Sequence, residues 1–191
     1  MNKKNLYGDL AKLHIETLED AFLPTLGENF LTLLYKTIDK SKFTTVIYYY
    51  ENKNLIGFVS GTLGTESIYK RLLMYPFSLL KSLIHIIFSP KKIFKIIGLL
   101  VHMNSKVRKK YPKAELLTIC VNKNYRRRGY AKKLYEDLSF FLANNGVESF
   151  TIIVGENLKA NNFYENEGAI IMDKIITHSG TESNIYVQNL K

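Results

Sequence analysis

The stretch Val121–Leu138, VNKNYRRRGYAKKLYEDL, decides how the rest of the chain is read. An apolar, β-rich run, AELLTICV (114–121), leads into it, and a helical pattern leaves it at about Gly129. The turn between them holds Arg126, Arg127 and Arg128, followed by Gly-Tyr-Ala. Such a segment is either a solvated basic face or a loop that grips an anion. Its setting between a strand and a helix favours the loop. The first N–H groups of a helix have no intrahelical acceptor and carry partial positive charge, so they bind phosphate oxygens well. Gly129 removes a Cβ from the path of a phosphate, and Ala131 is nearly as small. The three arginines add charge at the same point.

Working outward, the C-terminal half alternates clearly. A helix over Ala131–Ala143 stops at Gly146, and ESFTIIVG (148–155) follows as a second strand. A short helix is expected over Asn157–Glu167, then closing strands in AIIMDKIITHS (169–179) and SNIYVQNL (183–190). This β-α-β-α-β-β order predicts an α/β fold built on a mixed sheet. The N-terminal third begins helically. Leu10, Leu13, Ile15, Leu18 and Phe22 recur at helical spacing behind Asp9, an expected N-cap, and Phe30, Leu33, Leu34 and Ile38 form a second stripe. Phe43–Tyr50 and Leu55–Leu63 then read as a hairpin turning at ENKN. From Ile68 to Tyr111 come two apolar-basic helical patterns separated by Ser89-Pro90. Their uninterrupted apolar stretches reach about a dozen residues, short of the roughly 20 that span a bilayer. They read as an amphipathic pair packed on the domain, with a membrane-surface element as the alternative.

Composition narrows the partners. At 191 residues, with 46% hydrophobic and 23% charged residues, the chain suits one domain with a sizeable core. Cys120 is the sole cysteine, which excludes an internal disulfide and a Cys-rich metal site; His14, His85, His102 and His178 lack metal-ligand spacing. No metal is expected. The first residues, MNKKNLYGDL, turn polar at once, so the protein is expected to be intracellular and cytoplasmic. The net charge of +10 is concentrated: residues 65–133 hold 17 Lys and Arg against two acids, and the remainder is net acidic. That asymmetry implies an anionic partner, whether a phosphorylated cofactor, a nucleotide-linked substrate, a membrane surface or nucleic acid.

Neither G-x-x-x-x-G-K-[ST] nor G-x-G-x-x-G occurs, which removes the usual nucleotide loops. What remains is Arg-x-x-Gly-x-Ala at Arg126, Gly129 and Ala131. The segment ELLTICVNKNYRRRGYAKKLYEDLSFFL resembles the acetyl-CoA-binding segment of the GCN5-related N-acetyltransferase (GNAT) superfamily, which carries [Gln/Arg]-x-x-Gly-x-[Gly/Ala] between its fourth strand and the next helix. NLKANNFYENEGAI is similar to the family's later motif, with Asn157, Ala160, Phe163, Tyr164 and Gly168 in register. Two motifs in order, with a strand between them, are far more specific than either alone. The resemblance is strong over 114–171 and weaker over the N-terminal helices. Three departures stand out: Ala169 follows Gly168 where the family often has an aromatic, no first strand is evident before Asp9, and a basic helical insert (65–112) lies between the family's third and fourth strands.

The resemblance implies a single GNAT-like acetyltransferase domain over 1–191, with acetyl-CoA as co-substrate and an amine acceptor attacking the thioester directly in a ternary complex. It implies that the backbone of Ile119, Cys120 and Val121 pairs with the pantetheine amides. The pyrophosphate would be held around Arg126, Arg127, Arg128, Gly129, Tyr130, Ala131 and Lys132, with Asn157 and Asn161 on the cofactor arm. Tyr164 is the expected general acid toward the CoA thiolate, the alternative being an aromatic that only packs beside Phe163. Glu115 is the expected base, with Glu28 and His14 as rivals. Cys120 reads better as a small buried hydrophobe than as a nucleophile. The insert would shape the acceptor pocket, and its basic character suits an anionic acceptor such as a nucleotide-linked amino sugar. Rivals from other classes are a nucleic-acid-binding module, which the packed look of the insert disfavours, and a non-catalytic acyl-CoA-binding or peripheral membrane protein. Many members of the superfamily dimerise, so a homodimer is left open.

Overall fold

The structure, a computed structural model, describes residues 3–19, 21–64, 66–84, 110–176 and 182–190. Two helices come first, α1 (Lys3–Thr17) and α2 (Glu28–Asp39), joined through a short 3-10 turn at Leu23–Leu26. The hairpin follows as β1 (Thr44–Glu51) and β2 (Asn54–Thr62). Its two-residue turn puts Asn52 and Lys53 at φ 47° and 67°, the left-handed pair that matches the twist of the flanking strands. Then come α3 (Glu66–Leu73), α4 (Pro76–Leu83), β3 (Glu115–Val121), α5 (Tyr130–Asn144), β4 (Ser149–Gly155), α6 (Ala160–Asn166), β5 (Ile170–Ile176) and β6 (Glu182–Asn189).

The six strands form one mixed sheet in the order β1-β2-β3-β4-β6-β5, in which only β3 and β4 run parallel. Two apolar clusters cover its faces. One packs α1 and α2 through Leu10, Leu31, Tyr35 and Phe58; the other packs α5 through Leu134, Leu138, Leu142, Phe150 and Tyr186. Gly57 and Gly61 of β2 let α5 lie directly on the strand. A Cβ on Gly61 would sit 2.5 Å from Leu138 Cδ1, and one on Gly57 would sit 3.2 Å from Leu134 Cδ1 and 2.7 Å from the Cys120 carbonyl of β3.

The central element is a bulge in β3. Ser60 pairs with Thr118 but Gly61 pairs with Leu116, so Leu117 is an extra residue. The side-chain alternation breaks at the same place. Leu116, Ile119 and Val121 belong to the α5 side, whereas Leu117 and Cys120 both pack on the α1–α2 side. One inserted residue bends a strand and ends its regular pairing. Here the pairing with β4 stops after two rungs, Glu115 with Thr151 and Leu116 with Ile152.

Several boundaries differ from the sequence reading. Asp9 is not an N-cap: α1 starts six residues earlier, because Leu6 and Tyr7 are buried and the Tyr7 hydroxyl donates to Asp39 at 2.7 Å. The Asp9 carboxylate instead accepts from Tyr50 at 2.8 Å. α1 ends at Thr17, whose hydroxyl bonds back to the Leu13 carbonyl, so the expected helix to Phe22 is cut short. Tyr35 joins the buried stripe of α2, while Leu33 is only half-buried. The first apolar-basic pattern is two short helices rather than one, since a residue before proline is steered out of the helical region and Tyr75 has ψ 56°. The second pattern lies almost wholly outside the described residues, as does the rest of the expected insert over 85–109. No strand precedes α1 among the described residues, so the insert follows the second strand of this chain rather than a third.

Candidate active site

β3 and β4 lead in the same direction, and both are followed by tight turns at the same end of the sheet. Beyond Leu116 and Ile152 they share no rung, so Leu117–Val121 and Ile153–Gly155 flank an opening between parallel neighbours. The loop that follows β3 is folded by its own side chains. Asn122 accepts from the Asn124 N–H at 3.0 Å, and the Arg126 Nε donates to the Val121 carbonyl at 3.1 Å. The Arg128 guanidinium lies 5.4 Å from the Tyr125 ring centre, which in turn meets Tyr130 edge-on. The arginines therefore divide the work: Arg126 closes the loop, Arg128 stacks, and Arg127 takes a left-handed φ of 60°.

Gly129 then starts α5 at φ 81° with no side-chain cap, and a Cβ built there would meet nothing within 4 Å. The glycine is thus needed for its backbone angle and for the space it leaves open before the first N–H groups of the helix. Tyr130 and Ala131 are half-buried at this start, and Lys132 turns outward to Glu167 at 3.4 Å. These residues fit a bound pyrophosphate: uncapped amide donors, open space in front of them, and two exposed arginines beside it.

After β4 the chain makes a second turn, which the sequence reading had placed inside a helix. Asn161 explains the difference. Its buried amide Nδ2 lies 2.7 to 2.9 Å from the carbonyls of Gly155, Glu156 and Leu158, holding 155–158 as a turn and delaying α6 to Ala160. Its Oδ1 accepts from Asn184 at 2.9 Å and from the Tyr186 hydroxyl at 3.0 Å. Five protein contacts take up the capacity that the sequence reading assigned to the cofactor arm. Asn157 remains exposed in the turn so formed.

Tyr164 is 4% exposed, packed against Phe163, Tyr135 and Tyr186. Burial pushes its hydroxyl pKa well above the ordinary value, and the nearby Cys120 sulfur adds to the effect. The Cys120 thiol is itself pushed up to about 12 by burial. Ile119, Cys120 and Val121 border the opening, with Tyr164 buried close to Cys120, whereas Glu115 stands at its closed end, on the last rungs shared with Thr62 and Thr151.

Behind β3 lies a buried polar pair that sequence reasoning did not connect. His14 Nδ1 is hydrogen-bonded to the Tyr35 hydroxyl, and the Thr118 hydroxyl of β3 also bonds to Tyr35. Burial lowers His14 to about 4, so its imidazole is neutral, and it raises Tyr35 strongly. The available signal was Tyr35 itself, which falls on the α2 stripe between Leu31 and Ile38. A cavity of about 530 Å³ lies near the hairpin turn, where Asp9, Lys12 and Glu16 of α1 face Tyr125 and Arg128 of the loop.

The sequence matches the model of the Acetyltransferase (GNAT) family over residues 9–169, which covers most of the chain. The protein belongs to the GNAT acetyltransferase family. No curated protein matches the chain. Among solved structures, an aminoglycoside 6'-N-acetyltransferase complexed with coenzyme A superposes with a TM-score of 0.62 at 10% identity, covering 97% of this chain and 91% of its own. An aminoglycoside 6'-acetyltransferase type Ii gives 0.61 at 12% identity, covering 100% and 93%. A further structure, described as an acetyltransferase, gives 0.58 at 17% identity, covering 98% and 96%. At these identities the likeness speaks for the fold, and the family match makes this GNAT chain an acyltransferase. No helix among its described residues is long and apolar enough to cross a membrane.

Proposed function

We propose that this GNAT protein, a single domain over 1–191, moves an acetyl group from acetyl-CoA to a primary amine of a small molecule by direct attack in a ternary complex. The observation that carries this reading is the unpaired length of β3 and β4, opening beside a helix that starts uncapped at Gly129. The N–H groups of Arg127 to Lys132 hold the pyrophosphate, with Arg126 contributing charge. The free edge of Ile119–Val121 pairs with the pantetheine amides, and Asn157 meets the cofactor arm from the turn that Asn161 holds.

In the reaction, Glu115 takes a proton from the substrate ammonium. The amine nitrogen attacks the thioester carbonyl, the carbon–sulfur bond of the tetrahedral adduct breaks as the departing thiolate takes a proton from Tyr164, and the excess proton on the new amide nitrogen returns to the tyrosinate. A tyrosine whose pKa is raised by burial would be a poor donor to a thiol of ordinary acidity. The match survives here because the same dry surroundings raise a thiol too, as they do for Cys120. Of the rival bases, His14 is weakened by its lowered pKa and already bonded to Tyr35.

The acceptor is read as an amino sugar, free or nucleotide-linked. The net charge of +10 supports the nucleotide-linked form, whose phosphates are anionic, whereas the aminoglycoside acetyltransferases among the similar folds support the free, cationic form. Calorimetric titration with acetyl-CoA, beside desulfo-CoA, followed by an amine screen that reads thiol release, tests the proposal. One site per chain and thiol release with an amino sugar are expected. Binding without release to any amine would leave a non-catalytic acyl-CoA binder, and no binding would end the reading.

A further inference from the structure

α4 is apolar on two faces. Leu79 and Leu83 pack on the α1–α2 cluster and Ser82 is buried between them, so the inner face is already satisfied. The outer face carries Phe77, Leu80 and Ile84, spaced i, i+3, i+7 and 88%, 60% and 59% exposed. Leu73 and Met74, at the end of α3 and in the turn after it, extend the patch at 66% and 73% exposure. Singly exposed apolar residues need no explanation, but five large ones on one helix–turn–helix amount to several hundred Å², roughly the size at which a surface patch marks a binding site.

The charge around the patch selects the partner. Exposed Lys81 lies on α4 one turn after Phe77 and one turn before Ile84, while the half-buried Arg71 of α3 donates to the Lys40 carbonyl at 3.2 Å. Between Glu66 and Glu115 the sequence contains 11 Lys and Arg and no acidic residue. A second copy of this chain would set like charges against each other across a two-fold contact, with no carboxylate in that span to pair them. Nucleic acid would answer the charge but offers no apolar volume for Leu73, Met74, Leu80 and Ile84. An anionic bilayer answers both, receiving the apolar side chains at the acyl boundary and Lys81 among its phosphates.

We propose that the outer face of α3–α4 docks this protein on anionic lipid surfaces, holding the catalytic domain at the membrane without spanning it. The docking is independent of acetyl transfer, so its success or failure leaves the proposed reaction untouched. The experiment is flotation of the full chain with phosphatidylcholine vesicles and with 7:3 phosphatidylcholine–phosphatidylglycerol vesicles. The expected result is binding to the anionic vesicles, weakened by salt, and little binding to the neutral ones. Phe77→Ser with Leu80→Ser, both on the solvent side, is expected to lower partitioning at least ~10-fold with acetyl-CoA binding and circular dichroism unchanged. Three outcomes would overturn the proposal: no binding to anionic vesicles, binding that the double variant leaves intact, or displacement from vesicles by a short RNA at low excess.

Discussion

β4 has two neighbours and treats them differently. With β6 it forms seven consecutive antiparallel rungs, from Ser149–Asn189 to Gly155–Ser183. With β3 it forms two parallel rungs and then none. The closed side is further tied by Asn161, whose amide joins the turn after β4 to Asn184 and Tyr186 of β6. The open side is held from behind instead, by the His14–Tyr35–Thr118 bonds and the packing of Leu117 and Cys120. The contrast shows how a sheet can host a ligand without losing its core: one strand forgoes its ladder on the side that faces the ligand, and its other edge and its packed side chains keep it in place.

The largest effect is expected at the mouth of the open side. Gly129→Glu would force a side chain into the left-handed region and set a carboxylate against the pyrophosphate. Acetyl-CoA affinity is expected to fall about 1,000-fold in calorimetry, since strain and charge conflict each cost about 2 kcal/mol. Affinity within a few fold of the parent would mean the loop is not the phosphate site.

The support behind the open side responds to pH. An ordinary histidine titrates near 6.5, whereas burial holds His14 at about 4. As pH falls through 6.5 the unfolded chain gains a proton that the folded chain refuses until about 4. The contribution is therefore whole above 6.5 and lost on the way down to 4, by up to ~3 kcal/mol. Denaturant titrations at pH 7, 5.5 and 4 should show this loss, and His14→Gln should flatten it. An equal pH slope in both proteins would detach His14 from the effect.

Close to Cys120, Tyr164→Phe keeps the ring and deletes the hydroxyl. Turnover is expected to drop about 100-fold with acetyl-CoA affinity nearly unchanged, the pattern of a group that acts on the departing thiolate. Unchanged turnover would leave Tyr164 as packing alone.

On the closed side, Asn161→Ala should cost stability rather than chemistry. It removes the amide that ties together the carbonyls of Gly155, Glu156 and Leu158 and takes the acceptor from Asn184 Nδ2, while the Tyr186 hydroxyl keeps Glu165 at 2.8 Å, and about 2 kcal/mol is expected in urea unfolding. A fall in acetyl-CoA affinity with stability unchanged would instead assign Asn161 to the cofactor.

Much of this was legible in the sequence where the signal is local. Hydrophobic periodicity and glycine placement located α5, β3, β4 and the hairpin to within a residue or so, and the two GNAT motifs identified the family that the match over 9–169 bears out. Asp9 was misread because an acidic residue ahead of an apolar stripe looks like a cap whether or not buried Leu6 and Tyr7 extend the helix. Asn157 was misread because the turn that excludes it from α6 is made by a side chain four residues later.

The sequence by itself determined the order of elements, the glycine at the start of α5 and the concentration of basic charge, since each depends on residue type and near neighbours. Only the tertiary structure decided that Leu117 is the bulged residue, that His14 meets Tyr35 across 21 positions and that α4 keeps an apolar face outward. Each of these is fixed by what packs against the residue from elsewhere in the chain. Ladder registry, buried pairing and exposure are relations between distant segments, and a linear pattern carries no term for them.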